Sequence, residues 1–475
     1  MTLGLRMSEL PQGWETVNLG EVAEFEMGQA PPGAFCNKEG NGTVFVKAGE
    51  FGIDHPQVRE WTTQPLKFAH RGDVLICVVG ATSGKLNLGI DCAIGRSVAA
   101  IRPGVAASQK IIYRQLQLQV AQLRADSSGT AQGVISKQML ADIQLVLPPV
   151  AEQTRIANQL DALLTRVQAC NDRFDAIPAL LKRFRQTVFD AATTGALTQD
   201  WRDAQNKTAH KSLEPGWVEA KALHALPPGW RWARFSEFLS GFRSGTSAVP
   251  SSDPSAYPVL RSSSVRPMGI DFEDVRHLPN LTKVRADDLL VEGEVLFTRL
   301  SGSLEYVANC AVVRGLGDRK IYYPDRLFRA RLIRPEQGTY FELCFASPLL
   351  RKHLTVEAKS TAGHQRISMG AVTDFPVPMP PDDEQTEIVR RVEALFALAD
   401  RIEARCTAAR ARVQRLTPLV LAKAFRGELV PQDPNDEPAS ALLARIASSN
   451  TAGAGKSRRK VPVPRKERAQ AAINL

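Results

Sequence analysis

The sequence predicts an α+β architecture. Two similar, mixed β-rich domains are joined by two long helices, packed as an antiparallel coiled coil about a pseudo-twofold axis. Three observations carry this. The stretch Leu147–Ile156 returns as Met379–Ile388, and the offset of 232 then holds without a gap to Gly195 and Gly427. Upstream, Leu10-Pro11-Gln12-Gly13-Trp14 recurs as Leu226-Pro227-Pro228-Gly229-Trp230, at an offset of 216. After each Pro-Pro, apolar residues step by four and then three. Internal repetition of this kind marks two copies of one supersecondary unit, and the four-three step marks a coiled-coil seam.

The elements follow in chain order. Residues 1–149 mix short β-type runs with turn signals, including Thr43–Val46, Asp73–Val79 and Ile143–Val146, and read as a first β-rich domain. Residues 150–201 read as the first long helix. Its seam is Ile156, Leu160, Leu163, Val167, Cys170, Phe174, Ile177, Leu181, Phe184 and Val188, and each position recurs 232 residues later, from Ile388 to Val420. A polar linker is expected over 202–225. A second β-rich domain covers 226–381, with Tyr257–Leu260 and Glu294–Phe297 as strands. The second helix occupies 382–430 and stops near Gly427, with Pro431, Pro434 and Pro438 behind it. Pro178 and Pro418 interrupt the seams and are expected to kink or break the helices. Two equivalent copies pair about a twofold axis when one is reversed, hence the antiparallel expectation. A helix of roughly 45 residues at ~1.5 Å each is a ruler of about 65 Å.

Composition narrows the function classes. The net charge is +10 over 475 residues, but Ser449–Leu475 holds seven basic residues and one acid, so the rest carries only +4. A mildly basic body is compatible with DNA without demanding it. The tail 431–475 is expected to be disordered. Seven scattered cysteines with no Cys-x-x-Cys pair suit a reducing cytoplasm and argue against zinc or a disulfide framework. No apolar run approaches the ~20 residues of a membrane span.

Catalytic signatures are weak. Gly80-Ala81-Thr82-Ser83-Gly84-Lys85 imitates a phosphate loop, yet has three residues between its glycines instead of four, and Leu86 stands where Ser or Thr would bind magnesium. Pro324-Asp325 with Glu357-Ala358-Lys359 echoes a nuclease, but Ala125 and Ser127 occupy the latter pair's places in the first copy. No Asn- or Asp-Pro-Pro-aromatic methyltransferase site occurs, and the histidines form no metal-binding spacing. No catalytic residue, metal or cofactor is assigned.

The ordered set of motifs resembles the specificity (S) subunits of type I restriction–modification systems over nearly the whole chain. It comprises the Pro-x-Gly-Trp openings, Gly72-Asp73-Val74-Leu75 with Gly293-Glu294-Val295-Leu296, and the small-residue loops behind them. Ile101-Arg102-Pro103 with Ile333-Arg334-Pro335 follow, and then Ser128–Gln132 with Ser360–Gln365. The Pro-Pro-x-x-Glu-Gln helix starts close the set. The resemblance implies a non-catalytic, cytoplasmic, DNA-binding subunit with two target recognition domains. Each would bind half of an interrupted double-stranded site. The helices would set the spacing, with half-sites about one duplex turn (~34 Å) apart, and dock two modification (methyltransferase) subunits. Restriction subunits join in the full complex, and no membrane is involved.

Base and phosphate contacts need Arg, Lys, Asn, Gln or Ser on loops that reach a groove. The candidates are Lys47, Ser83, Lys85, Arg96 and Gln132 in the first copy. In the second they are Arg261, Ser262, Arg266, Arg299, Ser301, Arg326, His364, Gln365 and Arg366. Glu152-Gln153 and Glu384-Gln385 sit in a first helical turn, where an acid meets the positive helix end, and are also candidate partner-binding residues. The alternatives are a restriction, modification or nuclease enzyme with fused recognition domains, and a coiled-coil adaptor that binds protein. Methyl transfer or cleavage by the purified chain would mark the first, and indifference to half-site spacing the second.

Overall fold

The computed structural model describes residues 10–127, 134–205, 223–251, 257–278, 284–357, 359–361 and 364–454. It divides into two compact units: Met1–Arg173 with Ala409–Leu475, and Phe174–Ala408. Each unit contains one β-rich head, the start of the long helix that follows that head and the end of the other long helix.

In the first unit the head is built on an antiparallel sheet in the order Ala23–Met27, Val98–Pro103, Val74–Cys77, Leu86–Leu88. Val74 to Cys77 and Val98 to Ile101 are fully buried. A strand buried on both faces reads as a continuous apolar run instead of an alternating one, which explains that stretch of sequence. The second head repeats this order with Leu239–Ser244, Leu327–Leu332, Val295–Thr298 and Cys310–Val312. A second sheet beside it also recurs. Phe45 pairs in parallel with Ala93, and Val259 forms the matching parallel bridge to Tyr322.

Each head closes where it opens. Glu15–Asn18, just after the first Pro-x-Gly-Trp, pairs antiparallel with Gln144–Leu147, in the register Glu15 to Leu147. Arg231–Arg234 pairs with Pro376–Met379, Arg231 to Met379. These are the 216 and 232 offsets of the sequence repeat, now seen as one two-stranded ribbon leading into each long helix.

The helices span Val150–Thr194 and Asp382–Ala424. In the first unit Ile156 and Leu160 share a core with Leu421, Ala424 and Phe425. In the second, Phe189 meets Phe396 edge to face at 5.1 Å, and Arg185 pairs with Asp400 at 2.8 Å and Glu403 at 3.0 Å. The start of one helix therefore meets the end of the other, and the pairing is antiparallel within each unit. Pro178 and Pro418 both lie inside their helices, contrary to a break. Both are exposed, so water can take the carbonyl that the ring leaves unbonded. The seam is not uniformly closed. Ile156, Leu160, Leu181, Val188, Ile388, Val392 and Ala399 are buried, whereas Phe184, Ile402 and Leu416 are exposed.

Two expected boundaries move. The linker expected from 202 begins later, since Gln199–Gln205 is helical. The tail expected to lack structure from 431 contains a helix, Ala439–Ala454. Its Ala439, Leu442, Leu443 and Ile446 fall at i, i+3, i+4 and i+7 and pack on the first head's core. The Ala439 amide donates to the Gly13 carbonyl at 2.9 Å, and Asp436 pairs with Arg155 at 2.5 Å. The basic residues beyond 455 hid this apolar stripe in the composition. Residues 455–475 lie outside the described ones.

Truncation after Val430 is expected to loosen the first unit alone. Amide exchange along Val17–Val22 and Leu140–Leu147 should accelerate while Val295–Thr298 keeps its protection. Unchanged protection at the first head would show that the C-terminal helix does not belong to its core.

Candidate nucleic-acid interface

The heads are stitched to the helices by the same bond twice. Trp14 Nε1 donates to Glu152 Oε2 at 2.9 Å, and Trp230 Nε1 donates to Glu384 Oε2 at 2.9 Å. Both glutamates are 1% exposed. Gln153 donates to the Ala106 and Pro148 carbonyls and accepts from the Ser108 amide; Gln385 donates to the Pro380 carbonyl. All four Glu-Gln side chains are thus buried in head–helix joints. The expectation that they bind a partner subunit gives way to an internal role, because a side chain spent on its own chain offers a partner nothing.

The two joints differ in charge. Glu384 Oε1 accepts from Arg202 at 2.5 Å and from Thr198 at 2.7 Å. Arg202, placed in a linker by the sequence, is instead a half-buried counter-ion to the buried Glu384. Glu152 Oε1 has no hydrogen-bond partner among the described residues. Burial pushes the Glu152 carboxyl above its ordinary range, against the opposing bond from Trp14.

A second matched pair concerns the candidate DNA contacts. Lys47 forms an ion pair with Glu60, and Arg261 with Asp274 at 3.1 Å; both partners lie 13 residues on. Glu60 holds the Lys47 ammonium above its usual range. Since both heads make this pair, Lys47 and Arg261 are framework before they are readers. A third matched pair corrects the alignment of the repeats. Arg102 binds Asp73 at 3.1 Å, and Arg331 binds Glu294 at 2.6 Å. Strand register places Ile101 against Val74 and Ala330 against Val295. Arg331, not Arg334, is therefore the counterpart of Arg102, while Arg334 pairs with Glu336 and Asp382 at 2.9 Å each. The Ile-Arg-Pro likeness was misleading because the second head slips by three residues there.

The remaining candidates fall into two clusters. In the first head Lys85 is exposed and donates to the Phe51 carbonyl at 2.6 Å, so its ammonium faces the turn that begins at Lys47. Arg96 is exposed beside that turn, since the Gly95 amide bonds the Val46 carbonyl at 2.9 Å. Ser83 is buried, and its carbonyl accepts from Arg124 at 2.7 Å, which leaves it a poor reader. Gln132 lies outside the described residues.

In the second head a small sheet joins Leu300–Ser301, His364–Arg366 and Lys359–Thr361, with Ser301 opposite Gln365. Arg299 adjoins it, its amide bonded to the Arg326 carbonyl at 2.9 Å and its guanidinium to the Asp325 carbonyl at 3.0 Å. Arg326 and Arg366 are exposed. The chain thus brings Arg299, Ser301, Arg326, His364, Gln365 and Arg366 into one patch, although 65 residues separate Arg299 from His364. Arg266 is exposed, 5.9 Å over the Tyr306 ring. Ser262 is half-buried near Arg261.

Glu384→Gln should destabilise the second unit by about 3 kcal/mol, because the half-buried Arg202 then keeps its charge without its counter-ion. Glu152→Gln should do the opposite at neutral pH. A carboxyl raised on folding contributes most below its unfolded value near 4.5 and loses that contribution as pH rises through its folded value. Urea unfolding between pH 4 and 8 should show that slope shrink in Glu152→Gln. A similar loss in both variants would refute the difference between the joints.

Comparison with known proteins agrees with this duplicated arrangement. A family model described as the type I restriction modification DNA specificity domain matches residues 11–177. The type I restriction enzyme EcoKI specificity subunit of Escherichia coli K12 is 36% identical over 389 residues, covering 80% of either chain. The EcoDI specificity subunit of E. coli is 30% identical over 464 residues, covering 94% of this chain and 98% of the relative. Among solved structures, the HsdS subunit from Thermoanaerobacter tengcongensis shares the fold with a TM-score of 0.55 at 20% identity, over 90% of this chain and 100% of that one. A chain from a study of complex assembly and conformational transition in the type I R-M system aligns with a TM-score of 0.61 at 19% identity, over 88% and 99%. With a third or more of its residues shared across most of its length, the chain belongs to the specificity subunits of type I restriction enzymes.

Proposed function

We propose that this chain is the DNA-reading, non-catalytic subunit of a type I restriction–modification complex. Each head binds one half of an interrupted double-stranded target, and helix length sets the spacer. One observation carries the reading: the framework is duplicated down to its Trp–Glu, Lys/Arg–acid and Asp/Glu–Arg pairs, while the exposed loops differ. A protein with one function per head and two different inputs needs that combination. The relatives support it by name.

In the second head Arg266, Arg299, Ser301, Arg326, His364, Gln365 and Arg366 contact the duplex. In the first, Lys85 and Arg96 do, with Lys47 adding positive charge from its ion pair. Arginine is suited to guanine, which it meets with two hydrogen bonds in the major groove.

The helices take the modification subunits, two per chain, with restriction subunits joining the larger assembly. Support comes from large apolar side chains left exposed on them: Leu180, Phe184, Leu398 and Ile402 in the second unit, Leu416 and Leu419 in the first. Apolar surface at helical spacing is what a partner helix covers. No helix among the described residues is long and apolar enough to cross a membrane. The reading places the protein in the cytoplasm with the DNA it protects, and requires no cofactor of its own.

Mapping of modified bases in cells that express this chain with its modification partner should reveal one bipartite, asymmetric motif. Removing seven residues from each helix should change the preferred spacer or abolish modification. Arg326→Ala should relax base preference in one half of the motif by ~1–3 kcal/mol and leave the other half intact. A continuous motif, or a spacer indifferent to the deletion, would contradict the proposal.

A further inference from the structure

The loop that leaves Val295–Thr298 and returns at Cys310 carries Arg299, Ser301, Leu304 and Tyr306. Its counterpart leaves Val74–Cys77 and ends at Gly84. Both loops close with the same bond. The Gly84 amide donates to the Cys77 carbonyl at 2.7 Å, and the Ala308 amide donates to the Thr298 carbonyl at 2.7 Å. The closing residue is left-handed in both, with φ of 79° at Gly84 and 55° at Ala308. Glycine adopts that conformation freely, whereas alanine meets its own carbonyl oxygen there. The second loop is also three residues longer. A longer loop closed on an unfavourable residue should relax unless something holds it.

Arg351 holds it. This half-buried guanidinium reaches from the helix Pro348–Glu357 and donates to four main-chain carbonyls. They are Ala308 and Phe345 at 3.2 Å from one nitrogen, and Val307 at 2.6 Å and Glu305 at 3.2 Å from the other. Three of the four belong to the loop. Buried carbonyls without such a donor would be costly, so loop and arginine specify each other. On the far side Lys182 pairs with Glu305 at 3.0 Å. In the first head Arg124 donates to the Ser83 carbonyl, and a glycine closes the turn.

We propose that Arg351 is a positioning residue for base recognition by the second head, holding the Arg299–Ala308 loop preformed so that its exposed groups meet the duplex in one geometry. This rests on the reading of that head as a DNA-binding unit. Preorganised donors discriminate between bases better than mobile ones, since no ordering cost is incurred on binding.

The test uses the full-length chain co-expressed with its modification subunits, reading modified bases across the genome. The wild-type chain first checks the underlying reading: absence of a bipartite motif would refute that reading on its own. Given the motif, Arg351→Lys should lower base discrimination in one half about tenfold or more and leave the other half unchanged. Lysine keeps the charge but cannot span four carbonyls. Ala308→Gly should leave recognition near wild type, and in the double variant should restore part of what Arg351→Lys loses, because the loop no longer needs to be held. Unchanged preference in Arg351→Lys would overturn the proposal. So would equal loss in both halves, or failure of Ala308→Gly to restore anything.

Discussion

A carboxylate buried in the first turn of a long helix needs a fixed donor, and here the donor is the indole that opens each head. The Trp14–Glu152 and Trp230–Glu384 bonds join the beginning of a head to the point where it hands over to a helix. The ribbon Glu15–Asn18 with Gln144–Leu147, and its repeat, lies alongside. Both ends of each head therefore meet at one buried place. What happens between them can vary without moving the joint, which is how one framework can serve two different readers. The segment that follows each helix folds onto the joint of its own unit. Arg202 neutralises Glu384 in one, and Asp436 and the C-terminal helix engage Arg155 and Gly13 in the other.

The same contrast between framework and surface sorts the charged residues. Lys47 with Glu60, Arg261 with Asp274, Arg102 with Asp73 and Arg331 with Glu294 occur in both heads at equivalent places. Their partners fix strand ends and turns. Arg96, Arg326 and Arg366 are exposed and have no such matched partners among the described residues, so they fit the role of readers. Arg299 stands between the classes, tied by its guanidinium to a carbonyl yet placed over the Phe328 ring at the edge of the small sheet.

Much of this was legible in the amino-acid order. The duplication, the helix starts and the antiparallel pairing all follow from two offsets and one periodicity, because repeated sequence repeats its local physics. What escaped was set by tertiary context. Arg202 reads as linker until Glu384 is seen beside it. The Ile-Arg-Pro match points to Arg334, and only strand register reveals Arg331. Glu152-Gln153 and Glu384-Gln385 look available to a partner in a sequence, but burial consumes them. Arg351 lies in an ordinary helical stretch, and no motif hints that three carbonyls of a distant loop converge on it. The C-terminal helix was masked by the lysines and arginines behind it.

The central claim is that each head is an independent reader bounded by its own joint. Exchanging residues 226–381 for the corresponding head of the EcoKI relative, then mapping the bases modified in cells, tests it most directly. The account predicts a new sequence in one half of the motif, with the other half and the spacer unchanged. A change in both halves, or in the spacer, would contradict it.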